Sequence, residues 1–202
     1  MLRAAFTGAR SAGPVWQGEA VHRLLVTGVS GAGKSTIARQ LRAWGHHALS
    51  ADADTVLCGW YDVQRRRVTR PAHPAAAWLA VHQWEGGPGR LDEIIAEAER
   101  VGAASLWLCG QAGNALELAG RFDAVFLLEI DQRTMAARMQ RAERGNDFGR
   151  VGDSLDVALD GYLPLVAGWR RFGALSVDAT RAVAAVAEDL LLTAAMAVLR
   201  PR

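Results

Sequence analysis

The 202-residue sequence predicts an α/β domain, a parallel sheet with helices packed over it. Three observations lead there. Short apolar runs at 24–26, 48–51, 105–109, 122–130 and 174–177 alternate with stretches of helical periodicity, the pattern of repeated strand–helix–strand crossovers. The first run flows straight into Gly28-x-x-x-x-Gly33-Lys34-Ser35, a phosphate-loop pattern that requires a strand before it and a helix after it. Half the residues are hydrophobic and 22% are charged, the balance of a globular chain with a core. That length predicts one domain over 21–202, preceded by a flexible extension over 1–20 that is rich in Gly and Ala.

The loop carries its own chemistry. Gly28, Gly31 and Gly33 let the backbone curl so that successive N–H groups, with those of Ser30 and Ala32, point toward one anion. Lys34 adds a point charge for the outer phosphates of a nucleotide, and the Ser35 hydroxyl is suited to Mg²⁺. A helix then starts at Ser35 and Thr36, with Ile37, Ala38, Leu41 and Trp44 on one side and its positive end toward the phosphates.

After the second apolar run comes Asp52-Ala53-Asp54. Ligands of an open parallel sheet gather beyond the carboxyl ends of its strands, so these acids are expected to share a cleft with the loop. In an extended segment positions two apart project to the same side, which would leave one acid for water on Mg²⁺ and the other to take a proton from a substrate hydroxyl. The alternative is that one merely caps the next helix. Residues 56–68 read as helical or irregular, and the Arg65–Arg66–Arg67 run, with Arg70, as a solvated face. The segment 58–90 mixes Pro, Gly and Trp without a clean period and is expected to cover a substrate. Trp60, Trp78 and Trp84 suit either ring stacking or packing.

A helix over 90–101 precedes the third strand, which ends in Gly110-Gln111-Ala112-Gly113-Asn114. Gln111 and Asn114 would hydrogen-bond a substrate there, although turn chemistry explains them too. The helix after the fourth strand carries Arg133, Arg138, Arg141 and Arg144, the last three on one broad sector. Arg138 and Arg141 are candidates to neutralise a transferred phosphoryl group, and about 138–152 reads as a lid. A further helix over 154–169 should break near Gly161 and Pro164. The turn Asp178-Ala179-Thr180-Arg181 leads into a final helix with Val183, Val186, Leu190 and Leu191 inward.

Bulk properties narrow the partners. A formal charge of +2 gives no reason to expect nucleic acid or a membrane surface. Cys58 and Cys109 lie far apart without metal-ligand spacing, and no apolar run approaches a membrane span. The expected setting is cytoplasmic, as a monomer or homodimer.

The loop at 28–36, the Asp52/Asp54 pair, the arginine-rich helix and the 178–180 turn occur in the order found in small P-loop kinases. The sequence resembles the shikimate, gluconate and adenylate kinase group, with antibiotic-modifying relatives that include tunicamycin-resistance-type ATP-binding proteins and chloramphenicol phosphotransferase. The resemblance implies a three-layer P-loop NTPase fold, with helices on both faces of a five-stranded parallel sheet of order 2-3-1-4-5. It implies ATP held by residues 31–36, Mg²⁺ near Ser35 and Asp52, and the acceptor hydroxyl at Asp54 as base or orienter. It further places Arg90 on an anionic substrate and Thr180 and Arg181 beside adenine. The sequence departs from the group after strand three, where Gly110-Gln111-Ala112-Gly113 replaces Gly-Gly-Gly, and throughout 58–90. The implied activity is transfer of the γ-phosphate of ATP to a hydroxyl of a small metabolite or natural product. A self-resistance kinase acting on a nucleoside or sugar-bearing antibiotic is the alternative. From a different class, a P-loop ATPase or GTPase switch would carry an acid ending an apolar strand. Strand three ends instead in Cys109-Gly110, and strand four offers Glu129 and Asp131.

Overall fold

The structure, a computed structural model, describes residues 20–198. The expected extension over 1–20 lies outside the described residues except for its last position. The chain runs β1 (His22–Gly28), α1 (Lys34–Ala43), β2 (His47–Ser50), β3 (Cys58–Asp62), β4 (Arg67–Val68), α2 (Ala76–Val81), β5 (His82–Gly86) and α3 (Pro88–Arg100). It continues through β6 (Ser105–Cys109), α4 (Ala115–Leu118), β7 (Ala124–Glu129), α5 (Gln132–Met139), α6 (Ser154–Asp160), α7 (Tyr162–Phe172), β8 (Leu175–Asp178) and α8 (Val183–Val198).

Five strands form one sheet in the order β2-β6-β1-β7-β8, every pairing parallel. Counted within that sheet alone the order is 2-3-1-4-5. Strand β6 is buried along its whole length and β1 from Leu24 onward, so both faces of the central strands are covered. Helix α1 packs on α8 and on β2 and β6, while α3 lies against β6 and α7 against β7. Trp107 and Phe126 stack at 5.8 Å between centroids in the core, and the Trp107 indole N–H donates to Ser105 Oγ at 3.0 Å. The helix expected over 154–169 does break at Gly161, whereas Pro164 is accommodated in the first turn of α7. On α8, Val186, Leu190 and Leu191 face the core, but Val183 on its first turn is exposed.

The region 56–86 is where the structure departs most from expectation. Instead of helix or irregular chain, it forms a three-stranded antiparallel sheet of order β4-β3-β5, with Trp60 directly opposite Trp84. Cross-strand aromatic pairs stabilise such ribbons. The turn between β3 and β4 is tied by Asp62, whose Oδ1 accepts from the amides of Gln64 and Arg66 at 2.9 Å. The basic run is exposed but not free. Arg65 pairs with Glu85 at 3.2 Å and Arg66 with Asp62 at 2.7 Å. Arg67 lies over Gly59 and donates to Cys58 O at 2.8 Å, a position that a side chain on Gly59 would block at 2.7 Å.

The small sheet is pinned to the large one. Asn114 is buried and clasps the backbone of Gly86 from both sides, accepting from its N–H and donating to its C=O at 2.9 Å each. Gly113 N donates to Trp84 O at 2.6 Å and Gly87 N to Leu57 O at 2.7 Å. Replacing Asn114 with Ala should therefore strand two buried backbone groups and destabilise the protein by about 2–4 kcal/mol. Urea unfolding checks this, and an unchanged midpoint would contradict it.

Candidate functional site

The loop between β1 and α1 has the geometry that its residues predict. Gly28, Gly31 and Gly33 all have positive φ, at 147°, 80° and 103°. A Cβ on Gly28 would stand 2.6 Å from Leu128 O, so the turn is closed to any other residue. Gly33 is the left-handed N-cap of α1, and no side chain caps that helix end, which leaves its first amides for an anion. Ala32 is buried, while Ser30 and Lys34 line a cavity.

Lys34 is nearly buried and its ammonium donates to Gly28 O at 2.8 Å and Val29 O at 2.9 Å. Burial pushes it below the ordinary lysine value; Asp52 opposes that and Arg144 reinforces it. Both groups are therefore within electrostatic reach of the loop. Ser35 is exposed at the start of α1 and accepts from Ser50 Oγ at 3.3 Å, which brings the end of β2 alongside it. Thr36 follows on the same first turn, half-buried. Among the described residues no three His, Cys, Asp or Glu side chains are grouped to hold a metal. The Ser35 hydroxyl and the Asp52 carboxylate are the groups near the loop that could hold Mg²⁺, with waters completing its shell.

The two acids part company. Asp52 lines the cavity with the loop. Asp54 does not, because residues 51–53 form a single 3-10 turn rather than an extended segment. At three residues per turn, positions two apart point to different sides. The Asp54 carboxylate instead accepts from the amides of Val56 and Leu57 at 2.9 Å and pairs with Arg90 at 3.1 Å. Burial pushes this acid up, but the Leu57 and Val56 amides and the Arg90 guanidinium together hold it below the usual aspartate value. Asp54 thus ties the turn ahead of β3 rather than the start of a helix. Arg90 is correspondingly spent on Asp54 and Glu93 and does not reach the cavity.

Other expected residues sort as clearly. Gly110 lies beside the 51–53 turn, where a Cβ would meet Ala51 Cβ at 2.3 Å, so its smallness serves packing. Asn114 is spent on Gly86. Gln111 does line the cavity; its Oε1 accepts from Thr27 Oγ1 at 2.5 Å and from the Trp169 indole at 3.1 Å. Helix α5 stops at Met139, so Arg138, Arg141 and Arg144 do not share a helical face. Arg138 donates to Gly31 O at 3.4 Å and Ala179 O at 3.1 Å, buttressing the loop and holding the 178–181 turn beside it. Within that turn Thr180 is folded onto Asp178, with its amide at 2.9 Å and hydroxyl at 2.6 Å, and Arg181 pairs with Asp189. Arg141 is exposed.

Arg144, which the sequence placed on the arginine sector without a catalytic role, does line the cavity. It is half-buried, donates to Phe148 O at 2.5 Å, and burial followed by Arg150 lowers it against the pull of Asp52 and Asp147. Arg70, expected with the 65–67 run to be a solvated face, lines the same cavity.

That cavity, about 540 Å³, runs from Ser30 and Lys34 past Asp52 and Arg144 to a wall of Trp60, Trp84 and Phe148. Trp60 stands at the centre of the aromatic group, 5.2 Å from Trp78, 5.9 Å from Trp84 and 6.1 Å from Phe148. Phe148 belongs to the 140–153 segment, which is bound to the small-sheet region at several points. Arg70 pairs with Asp147 at 2.6 Å, Asp153 N donates to Pro74 O at 3.0 Å, and Ala76 N donates to Asp153 Oδ2 at 2.8 Å.

No family model matches the sequence, and no curated protein does. Solved structures do match in fold. A shikimate kinase from Acinetobacter baumannii, in complex with shikimate, aligns over 90% of this chain and 97% of its own at 16% identity, TM-score 0.53. A gluconokinase from Sinorhizobium meliloti 1021 aligns over 87% and 92% at 17% identity, TM-score 0.47. A deoxyadenosine kinase from M. mycoides with bound dATP covers 85% and 98% at 12% identity, TM-score 0.45. The chain has the fold of the small P-loop kinases.

Proposed function

We propose that this chain is an ATP-dependent phosphotransferase that moves the γ-phosphate of ATP to a hydroxyl of a small metabolite or natural product. The observation that supports this reading is one cavity of about 540 Å³ lined both by Ser30 and Lys34 of the phosphate loop and by Trp60, Trp84 and Phe148. Among the described residues no helix is long and apolar enough to cross a membrane.

In the reaction the acceptor oxygen attacks the γ-phosphorus. A new O–P bond forms as the bond to the β,γ-bridging oxygen breaks, and ADP leaves with that electron pair. Lys34 exchanges its two carbonyl partners for phosphate oxygens, and the amides at the start of α1 hold the same group. Arg144 faces the transferred charge from across the cavity. Mg²⁺, when bound, would offset phosphate charge, with the Ser35 hydroxyl to hold it directly and Asp52 to hold it through water. The hydroxyl proton goes to Asp52, the one carboxylate among the residues lining the cavity, and from there to water. The small sheet covers the acceptor, and the 140–153 segment closes the nucleotide side.

The test is ADP release across a panel of hydroxylated compounds. Slow hydrolysis with ATP alone and strong stimulation by particular acceptors is expected. Rapid hydrolysis indifferent to every acceptor would assign the protein to the ATPase class instead.

A further inference from the structure

Resting on the phosphotransferase reading, the geometry points to an acceptor of a particular class: a hydroxylated compound built on a flat, uncharged ring that bears a carbonyl oxygen. Two independent features of the far chamber carry this. The first is the wall. Trp60 and Trp84 are fixed opposite each other by the register of β3 and β5, and Phe148 closes on Trp60 from the other segment. Two rings held by backbone pairing, with a third closing on Trp60, give the cavity an aromatic surface suited to a planar guest rather than to a polyol. Leu79 and Leu165 extend the same lining, and neither can hydrogen-bond.

The second feature is Arg70. Its Nη1 is shielded from solvent and has no hydrogen-bond partner, the one such side-chain atom found among the described residues. Leaving a buried donor unpaired is costly, and such a group calls for a missing acceptor. Its Nη2 is already bound to Asp147 at 2.6 Å, so the charge of the guanidinium is matched by a carboxylate. A neutralised pair with an unpartnered Nη1 is complementary to a neutral carbonyl. A second carboxylate would have to compete with Asp147 and give up more of its hydration. Arg144, the other arginine lining the cavity, donates to Phe148 O at 2.5 Å and lies within electrostatic reach of Asp52 and Asp147, so it already has partners on both sides. The ring carbonyl is therefore assigned to Arg70, and the hydroxyl to be phosphorylated to Asp52.

The tryptophans make the test direct. Titration with uridine, a flat ring with two carbonyls and sugar hydroxyls, is expected to quench tryptophan emission without nucleotide present, and uridine should accelerate ADP release. Shikimate and gluconate, anionic and without an aromatic ring, should do neither. Arg70→Met should raise the KM for the ring compound by about 10- to 100-fold, whereas Asp147→Asn, which loosens the same ion pair but keeps Nη1, should leave that KM within about a few-fold of the parent. Arg70→Lys should be intermediate, which separates loss of the hydrogen bond from collapse of the loop. Turnover of shikimate or gluconate with no response to uridine would overturn the assignment while leaving the phosphotransferase reading intact. Uridine binding that Arg70→Met does not weaken would overturn it too. Failure of the whole acceptor panel to stimulate ADP release, with uridine binding lost in Arg70→Met, would instead count against phosphoryl transfer and for the chamber's ligand class.

Discussion

Lys34→Ala is expected to abolish phosphoryl transfer, with kcat/KM lowered by about 10³-fold or more, because the cation meets charge that grows on the transferred group. The same variant should lose most of the thermal stabilisation that saturating ATP gives the parent. At a ligand concentration of 100 times Kd that linkage amounts to about 2.7 kcal/mol. The side chain is poised for this exchange. Burial disfavours its charge in the unliganded protein, and only two loop carbonyls compensate. Phosphate oxygens are stronger partners, so the cost of placing an ammonium there is recovered on binding. A melting-temperature series with and without ATP, alongside initial rates, checks both halves. Full activity in the alanine variant would remove the loop from the chemistry.

The two aspartates provide the second large contrast. Asp52→Asn is expected to reduce the transfer rate by about 10²- to 10⁴-fold with nucleotide binding retained, since its carboxylate lines the cavity. Asp54→Asn should leave turnover close to the parent. It loosens a turn and a partly exposed pair with Arg90, a contact worth about 0–1 kcal/mol. Single-turnover rates of both variants, with folding verified by circular dichroism, decide the assignment. The reverse ranking would mean that the 51–54 turn rearranges when substrate arrives.

That contrast also marks where the sequence was readable. Long-range organisation was legible, because a fully buried parallel strand such as 105–109 can only be written as an unbroken apolar run. The loop at 28–35 was legible because its backbone demands glycine where other residues collide, as at Gly28 against Leu128. Side-chain direction was not. Reading Asp52 and Asp54 together assumed an extended segment, and one 3-10 turn reversed the outcome. Placing Arg141 and Arg144 on one helical face assumed a helix running past the end of α5, whose last buried residue is Met139. The small sheet was hidden for another reason. Its strands carry Trp, Tyr, Gly and charged residues, and their pairing is decided by partners some twenty residues apart, as Arg65 on Glu85 shows. No local period encodes that. The residues whose place at the cavity sequence reasoning missed, Arg70 and Arg144, share this character: each acquires its role only from the segment that folds across it.

The seam between the small-sheet region and the 140–153 segment has a consequence of its own. Gly152 meets Pro74 so closely that a Cβ would lie 2.2 Å from its carbonyl oxygen, and Asp153 and Asp147 fasten both sides. Segments joined in this way are expected to move together, and the small sheet is further anchored to the large one through Asn114 and Gly86. Whatever loosens that seam should hasten the escape of ADP and phosphorylated product alike.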